Sequence, residues 1–394
     1  MSLRRDFHAH PELSLEEERT AGVVAERLTR LGLDEVRCGV GGHGVVGVLQ
    51  GGGPGPVVAW RADMDAVPLS DGLTAPYRSR VPGVKHCCGH DAHTAIGLGI
   101  AEVLAGVRRQ LPGTVVFIFQ PAEEPALGAR AMIGAGVLDN PRPEAIFALH
   151  AFPLPVGQVG LGPGVNLPPL DDVRVALRNL LGRTTPADRQ AVRERCATAV
   201  RGLSNVQLPG SVEAFDDLLA AVIRGEPQLL KAVEVGFSPQ AAGVEAGGAD
   251  LVGIARAAHP EERAALPARV RAVLDQVTAG TGLGYQLDWQ EAVPATVNDP
   301  VLTAEVAPAA AAAVGPANLI SFRAPLPVGS EDFSVFQRQL PGVLFWLGVA
   351  NRAVGIAAML HTPGFDIDED SLVVGCRLGA GIILDYCSRH GRVI

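Results

Sequence analysis

His86-Cys87-Cys88-Gly89-His90-Asp91-Ala92-His93 is the stretch on which the reading of this chain turns. Three histidines, two cysteines and an aspartate fall in eight positions, just ahead of an apolar, helix-periodic segment over residues 94–104. Capping and packing of that helix would account for His93 or Cys87 singly, but not for the whole cluster. The density asks for a metal. Cys-x-His is too tight for a zinc finger, whose pairs sit roughly two to four residues apart and recur as a second matching pair. No second pair follows. The site must therefore be closed by His and carboxylate ligands from distant points of the chain, as open catalytic sites are.

With 394 residues the chain exceeds the length, roughly 250 to 300, at which single cores stop growing, so two domains are expected. The net charge is −9 and the basic residues are scattered. This gives no electrostatic footprint for nucleic acid or an anionic membrane and points to a small-molecule partner. Six cysteines, two of them adjacent, do not make the dense framework of a small secreted scaffold. No signal sequence and no apolar stretch of membrane-spanning length is read, so the expected location is cytoplasmic.

Working outward, residues 12–31 read as an amphipathic helix closed by Gly32. The runs 45–49 and 57–60, separated by Gly51-Gly52-Gly53-Pro54-Gly55, read as a hairpin. The second run leads into Asp63 and Asp65. Asp63 serves equally well as a loop cap, whereas Asp65 is the candidate to orient a metal-bound histidine. Residues 114–120 have the apolar, β-rich character of a buried central strand and end in Pro121-Ala122-Glu123-Glu124. Residues 145–149 repeat the arrangement, ending at His150. Three strands thus deliver Asp63 and Asp65, Glu123 and Glu124, and His150 at their carboxyl ends, where open α/β sheets place ligand sites.

From about Pro163 the character changes to strands at 172–178, 233–237, 251–255 and 285–289, with helices at 186–203, 212–223 and 261–277. Two of those helices begin alike, at Thr185-Pro186 and His259-Pro260. Residues 297–300 mark the return to the first domain. Gly329-Ser330-Glu331-Asp332-Phe333 suits a helix N-terminus. His361 lies in a Gly/Pro loop ahead of an apolar helix at 372–386, and taken alone it is unremarkable.

Taken together, Arg4-Arg5-Asp6-Phe7-His8-Ala9-His10-Pro11-Glu12-Leu13, Ala62-Asp63-Met64-Asp65-Ala66-Val67-Pro68, the 86–94 stretch, Phe119-Gln120-Pro121-Ala122-Glu123-Glu124, Leu149-His150, the 329–333 run and Leu360-His361 resemble the metal-dependent aminoacylase/carboxypeptidase family. The nearest branch is that of hippurate hydrolase and the indole-acetyl-amino-acid hydrolases. Order and spacing match over nearly all of 4–164 and 297–385. The resemblance implies an α/β fold: a doubly wound, mixed-sheet, zinc-peptidase-like catalytic domain made of 1–164 and 297–394, interrupted by an α+β ferredoxin-like lid at 165–296 that here is divergent and carries an extra helix. It further implies metal ligands at Cys88, His90, Glu124, His150 and His361 and a general base at Glu123. Asp65 and Asp91 are expected to orient ligands, while His86, Cys87 and His93 take supporting roles.

A bridging thiolate among five ligands suggests two divalent ions of Zn, Mn, Co or Ni, and a pair about 3.5 to 4 Å apart holds a hydroxide and polarises a carbonyl together. The implied reaction is hydrolysis of the amide bond of N-acyl amino acids or peptide-like small molecules. Dipeptidase or carboxypeptidase action, and a metal-binding homologue with altered catalysis, are the alternatives. Between residues 163 and 246 the family's Gly-Gly-His-Gly-like run ending in Pro-His and its Asn-Val-Ile-Pro-like run are missing. The oxyanion donor, the substrate-carboxylate anchor and a lid-mediated homodimer therefore have no residues assigned, and neither His259 nor Arg256 is promoted to these roles.

Overall fold

The computed structural model describes residues 1–180, 182, 184–206, 209, 211–238 and 249–391; the motif-poor stretch up to residue 246 runs partly outside them. The chain divides into two compact units, one of Met1–Gly164, Val297–Phe322 and Glu331–Ile394, the other of Val165–Thr296 and Arg323–Ser330.

The larger unit opens with helices α1 (Ser2–Ala9) and α2 (Glu18–Arg30). α2 starts later than its apolar period suggests. Leu13 forms a bridge with Ala66, and the Glu12 carboxylate turns to accept from the N–H groups of Arg19 and Thr20, two of the donors that a helix's first turn leaves unpaired. Strands β1 (Glu35–Cys38), β2 (Val45–Gln50) and β3 (Gly53–Asp63) follow, then α3 (His90–Gly106) and β4 (Pro112–Gln120).

The expected hairpin between β2 and β3 does not form. β4 lies between them, antiparallel to β2 and parallel to β3, with Val46 opposite Ile118 and Trp60 opposite Phe117. The glycines between β2 and β3 serve close approach rather than a tight turn. Gly51 and Gly52 donate to the carbonyls of Gly113 and Leu111, both at 2.8 Å, and a Cβ at Gly51 would sit 1.9 Å from the Leu111 oxygen. Val115, Val116, Phe117, Ile118 and Phe119 of β4 are all buried, as a central strand covered on both faces requires.

α4 (Gly128–Gly134), β5 (Ala145–Pro155) and β6 (Val159–Leu161) complete the first part. β5 does not end at His150. It continues opposite Trp346 and beyond, although β3 pairs with it only as far as Ala148. His150 thus stands just past the point where one flank of its strand opens, and Pro153 and Pro155 sit where a missing N–H is tolerated.

The insertion runs through β7 (Gly164–Leu167), β8 (Leu170–Asn179), α5 (Pro186–Arg201), α6 (Val212–Arg224), α7 (Pro227–Leu230), β9 (Val233–Ser238), β10 (Leu251–Ala257), α8 (Pro260–Thr278), β11 (Leu283–Val293) and β12 (Thr296–Asn298). β8 to β11 form an antiparallel sheet in the order β11-β8-β10-β9, the strand order of a βαββαβ unit. Its core joins Val173, Val175 and Leu177 of β8 to Val192, Cys196 and Val200 of α5 and Leu266, Val270 and Leu274 of α8. The two similar helix starts are both N-caps. Thr185 closes a capping box with Asp188, and the His259 ring accepts from the N–H of Glu261.

The chain returns through α9 (Pro300–Val314), β13 (Leu319–Ser321), α10 (Phe333–Gln337), β14 (Gly342–Ala350) and α11 (Asp370–His390). The larger unit's mixed sheet has the order β1-β2-β4-β3-β5-β14-β6-β13. α11 is long and apolar enough, by length and composition alone, to cross a membrane, which corrects the reading that no stretch reaches that length. Its Leu372, Leu378, Ile382 and Ile383 are buried in this unit's core.

Candidate metal centre

Every ligand candidate lies in the larger unit. His90 is the first residue of α3, behind Gly89, whose left-handed φ of +95° turns the chain from Cys88 into the helix. Glu123 and Glu124 sit in the loop after β4, His150 in β5, and His361 in the loop before α11.

These side chains converge. Cys88 Sγ lies 3.4 Å from His150 Nε2 and 3.2 Å from His361 Nε2, and His361 Nε2 is 3.5 Å from Glu124 Oε1. His90 Nε2 is 3.8 Å from Glu123 Oε2 and 3.9 Å from Glu124 Oε1. Donor atoms within 4.8 Å of one another include the set Cys88, His90 and His150 and the set Cys88, Glu124 and His361, which share the thiol. His90 Nε2 and Glu124 Oε1 are buried and have no hydrogen-bond partner among the described residues.

What the other ring nitrogens meet decides which histidines are available. His90 Nδ1 donates to the Asp65 carbonyl at 2.9 Å and carboxylate at 3.1 Å, which leaves Nε2 as the ring nitrogen facing the other donor atoms. His150 Nδ1 donates to the Ala151 carbonyl, leaving Nε2 toward Cys88. His93 is spent on both sides. Its Nδ1 donates to Asp63 at 2.6 Å and its Nε2 accepts from the Ala151 N–H at 2.7 Å. Asp65, besides holding His90, accepts from Ser14 and from the N–H of Glu124.

Asp91 does not do what was expected of it. Its carboxylate turns away from the donor atoms and accepts from Arg4 at 2.9 Å and from the His8 ring at 2.7 Å. The next residue along a helix points about 100° away from its predecessor, so adjacency to His90 in sequence places Asp91 on another face.

The electrostatics are those of a pocket short of positive charge. Burial, then Glu331, Asp332 and Glu124, push the Glu123 carboxyl well above its ordinary range, against the pull of Arg61. Burial and the neighbouring Glu124 and Glu123 push the Cys88 thiol up in the same way. Burial would lower His90, but Asp63, Asp65 and Glu124 outweigh it and hold the imidazole at about 10.

Sequence reasoning missed the group behind Glu123. Arg61, buried in β3, donates to Asp63 at 2.5 Å, to Glu331 and Asp332 at 2.9 Å each, and to Gln120 at 2.8 Å. Asp332 also accepts from Gln120 and from the Ala129 N–H, and its own N–H donates to Glu123 at 3.4 Å. The 329–333 run, read as a helix cap, therefore supplies mainly partners for a buried guanidinium, although Glu331 also accepts from the Phe333 N–H. The available signal was the spacing of Arg61 and Asp63, two apart on one strand and hence on one face.

Residues 59–385 match the family described as Peptidase family M20/M25/M40. The chain belongs to this family. It is 32% identical over 376 residues to an N-acetylcysteine deacetylase of Bacillus subtilis, covering 95% of this chain and 93% of that one. An IAA-amino acid hydrolase of Arabidopsis thaliana is 32% identical, with 98% of this chain and 85% of the relative covered. Among solved structures, a Bacillus subtilis protein described as a dinuclear metal binding peptidase of the M20 family superposes with a TM-score of 0.76 at 30% identity, covering 98% of this chain and 97% of that one. Family M20 and these relatives are hydrolases, and so is this chain.

Proposed function

We propose that this chain is a dinuclear metal-dependent amidohydrolase that cleaves the amide bond of N-acyl amino acids or similar small amides. The observation that carries the reading is the pair of donor sets sharing Cys88, with His90 Nε2 and Glu124 Oε1 buried beside Glu123 and, among the described residues, without a hydrogen-bond partner. A buried polar atom without a partner is unfavourable, and thiol, imidazole and carboxylate together suit Zn, Mn, Co or Ni. Cys88, His90, Glu124, His150 and His361 would hold two such ions, which when bound supply an activated water and a polarised carbonyl.

Glu123 is the general base. It takes a proton from the attacking water and returns it to the leaving amine. Burial and three neighbouring carboxylates raise its affinity for a proton, which favours its accepting one from the water once cations held by the adjacent ligands offset that negative charge. Asp65 fixes the His90 tautomer. The names of the deacetylase and IAA-amino acid hydrolase relatives favour an N-acyl amino acid substrate. A thermostable carboxypeptidase of Saccharolobus solfataricus, 30% identical over 400 residues, favours peptide hydrolysis as a second reading. In this proposal residues 1–164 and 297–394 form the catalytic domain and 165–296 a lid and homodimerisation domain. The sheet edges β9 and β11 are templates for pairing with a second copy. The six cysteines form no disulfide, which agrees with a cytoplasmic location.

The test is metal analysis together with hydrolysis of an N-acyl amino acid panel, with and without chelator, and of a dipeptide against its N-acyl analogue. Glu123→Gln is expected to keep its metal and lose about 10²- to 10⁴-fold in kcat. A metal-loaded chain inert toward every acyl group, or one indifferent to Glu123→Gln, would overturn the proposal.

A further inference from the structure

We infer that Glu17 is a positioning residue that holds the loop carrying Glu123 and Glu124 in its working conformation. This rests on the metallohydrolase reading for what those two carboxylates do, but the inference comes from a different set of contacts.

Glu17 is fully buried at the start of α2, far from the donor atoms in sequence. Its Oε1 accepts two backbone N–H groups, from Leu15 at 3.0 Å and from Ala122 at 2.8 Å. Both residues have left-handed backbones, φ 71° and 49°. Among the described residues only four that are not glycine do so, the others being Ala126 and His361. An L-residue keeps that conformation only where its surroundings over-determine it.

Ala122 immediately precedes Glu123. Its carbonyl is fixed from downstream by the N–H groups of Leu127 and Gly128, and the Ala126 N–H closes on the Glu123 carbonyl at 2.7 Å. The amide side of Ala122 is fixed by Glu17. Release of that amide lets Ala122 relax toward ordinary φ, and rotation there swings the two carboxylates that follow.

The second Glu17 oxygen, Oε2, is buried with no hydrogen-bond partner among the described residues. A side chain present only to fill space would be apolar, because an unpaired buried carboxylate oxygen is unfavourable. Holding Ala122 is what the carboxylate does that a leucine cannot.

The experiment compares wild type, Glu17→Ala, Glu17→Gln, Ala122→Gly and the Glu17→Ala/Ala122→Gly pair, each checked for folding by circular dichroism and thermal melting. Zn²⁺ affinity is measured by competition with a chromophoric chelator, and kcat and KM on an N-acyl amino acid. Glu17→Ala is expected to weaken Zn²⁺ binding about 10- to 100-fold, the range for partners that orient ligands, and to lower kcat more than it raises KM. Glu17→Gln keeps the accepting oxygen and is expected to restore most of the affinity. Ala122→Gly is expected to recover part of the loss in the Glu17→Ala background, because glycine holds positive φ without strain; a role in stability alone gives no such recovery. A folded Glu17→Ala with wild-type Zn²⁺ affinity and kcat, or a double variant binding no better than Glu17→Ala, overturns this inference and leaves the metallohydrolase reading standing. A wild-type chain that takes up none of Zn²⁺, Mn²⁺, Co²⁺ or Ni²⁺ overturns both.

Discussion

His90 and His93 stand one turn apart on α3, and what their ring nitrogens meet separates a candidate ligand from a structural residue. His93 spends both nitrogens on protein partners, whereas His90 spends one on Asp65. Asp65→Ala is therefore expected to weaken divalent-metal affinity about 10- to 100-fold, read by calorimetric titration, and unchanged affinity would remove Asp65 from its orienting role. Asp71 carries a pH prediction. Burial would raise its carboxyl, but the His8 ring, the N–H groups of Ser79 and Leu73 and the Lys85 ammonium outweigh this and hold it far below the ordinary range. Its folded pKa thus lies beneath an unfolded value of about 3.9, so its contribution to stability is complete above that value and is lost as pH falls below it. Asp71→Asn should flatten the fall of Tm between about pH 4 and pH 2, and thermal melts with the wild-type slope would refute this. Cys88, His90, Glu123 and Glu124 were legible because their chemistry is dense in sequence. His150 was legible as the end of an apolar strand run like the one before Glu123, whereas His361 is a single residue in a Gly/Pro loop, visible only through the family's spacing. Arg61 and Glu17 were not legible, because their partners at Glu331, Asp332 and Ala122 come from other elements.

Most strands and helices were legible from apolar period, since burial on one or both faces writes itself locally; their pairing was not. Gly51-Gly52-Gly53-Pro54-Gly55 has the composition of a tight turn, and composition does not reveal that β4 enters between the strands it joins. The consequence is specific to each glycine. A Cβ at Gly51 meets the Leu111 oxygen at 1.9 Å, while one at Gly53 meets nothing within 4 Å. Gly51→Ala is expected to destabilise by about 1–3 kcal/mol through overpacking. Gly53→Ala should be neutral or stabilise by up to about 1 kcal/mol through the unfolded chain. Urea unfolding of the two variants checks the contrast, and equal midpoints would mean that the loop yields to the added methyl. α3 shows the same limit in another form. Its apolar period begins at residue 94, but the helix begins at His90, because Gly89 supplies the left-handed turn that the period cannot register.

At the scale of the molecule, the larger unit is built from both ends of the chain. β14, from the second segment, lies between β5 and β6 of the first, and α11 packs against α3 and α9. The insertion has a core of its own. Cys88, His90, Glu123, Glu124 and His150 come from the first segment and His361 from the second, so the donor set is complete only when the larger unit has folded. Ligand that binds the folded form alone stabilises it by mass action, about 2.7 kcal/mol at a hundredfold excess over Kd. All donors belong to one unit, so this stabilisation acts there directly. Scanning calorimetry is therefore expected to resolve a component whose midpoint rises with added Zn²⁺ or Mn²⁺ and falls with chelator, beside one that the metal leaves in place. Replacing His361, for example by alanine, should shrink the metal-induced rise and leave the second component alone, because that variant removes a donor without touching the insertion. An equal shift of both components, or a rise that survives loss of His361, would show that the ion stabilises the chain elsewhere than at the Cys88 centre.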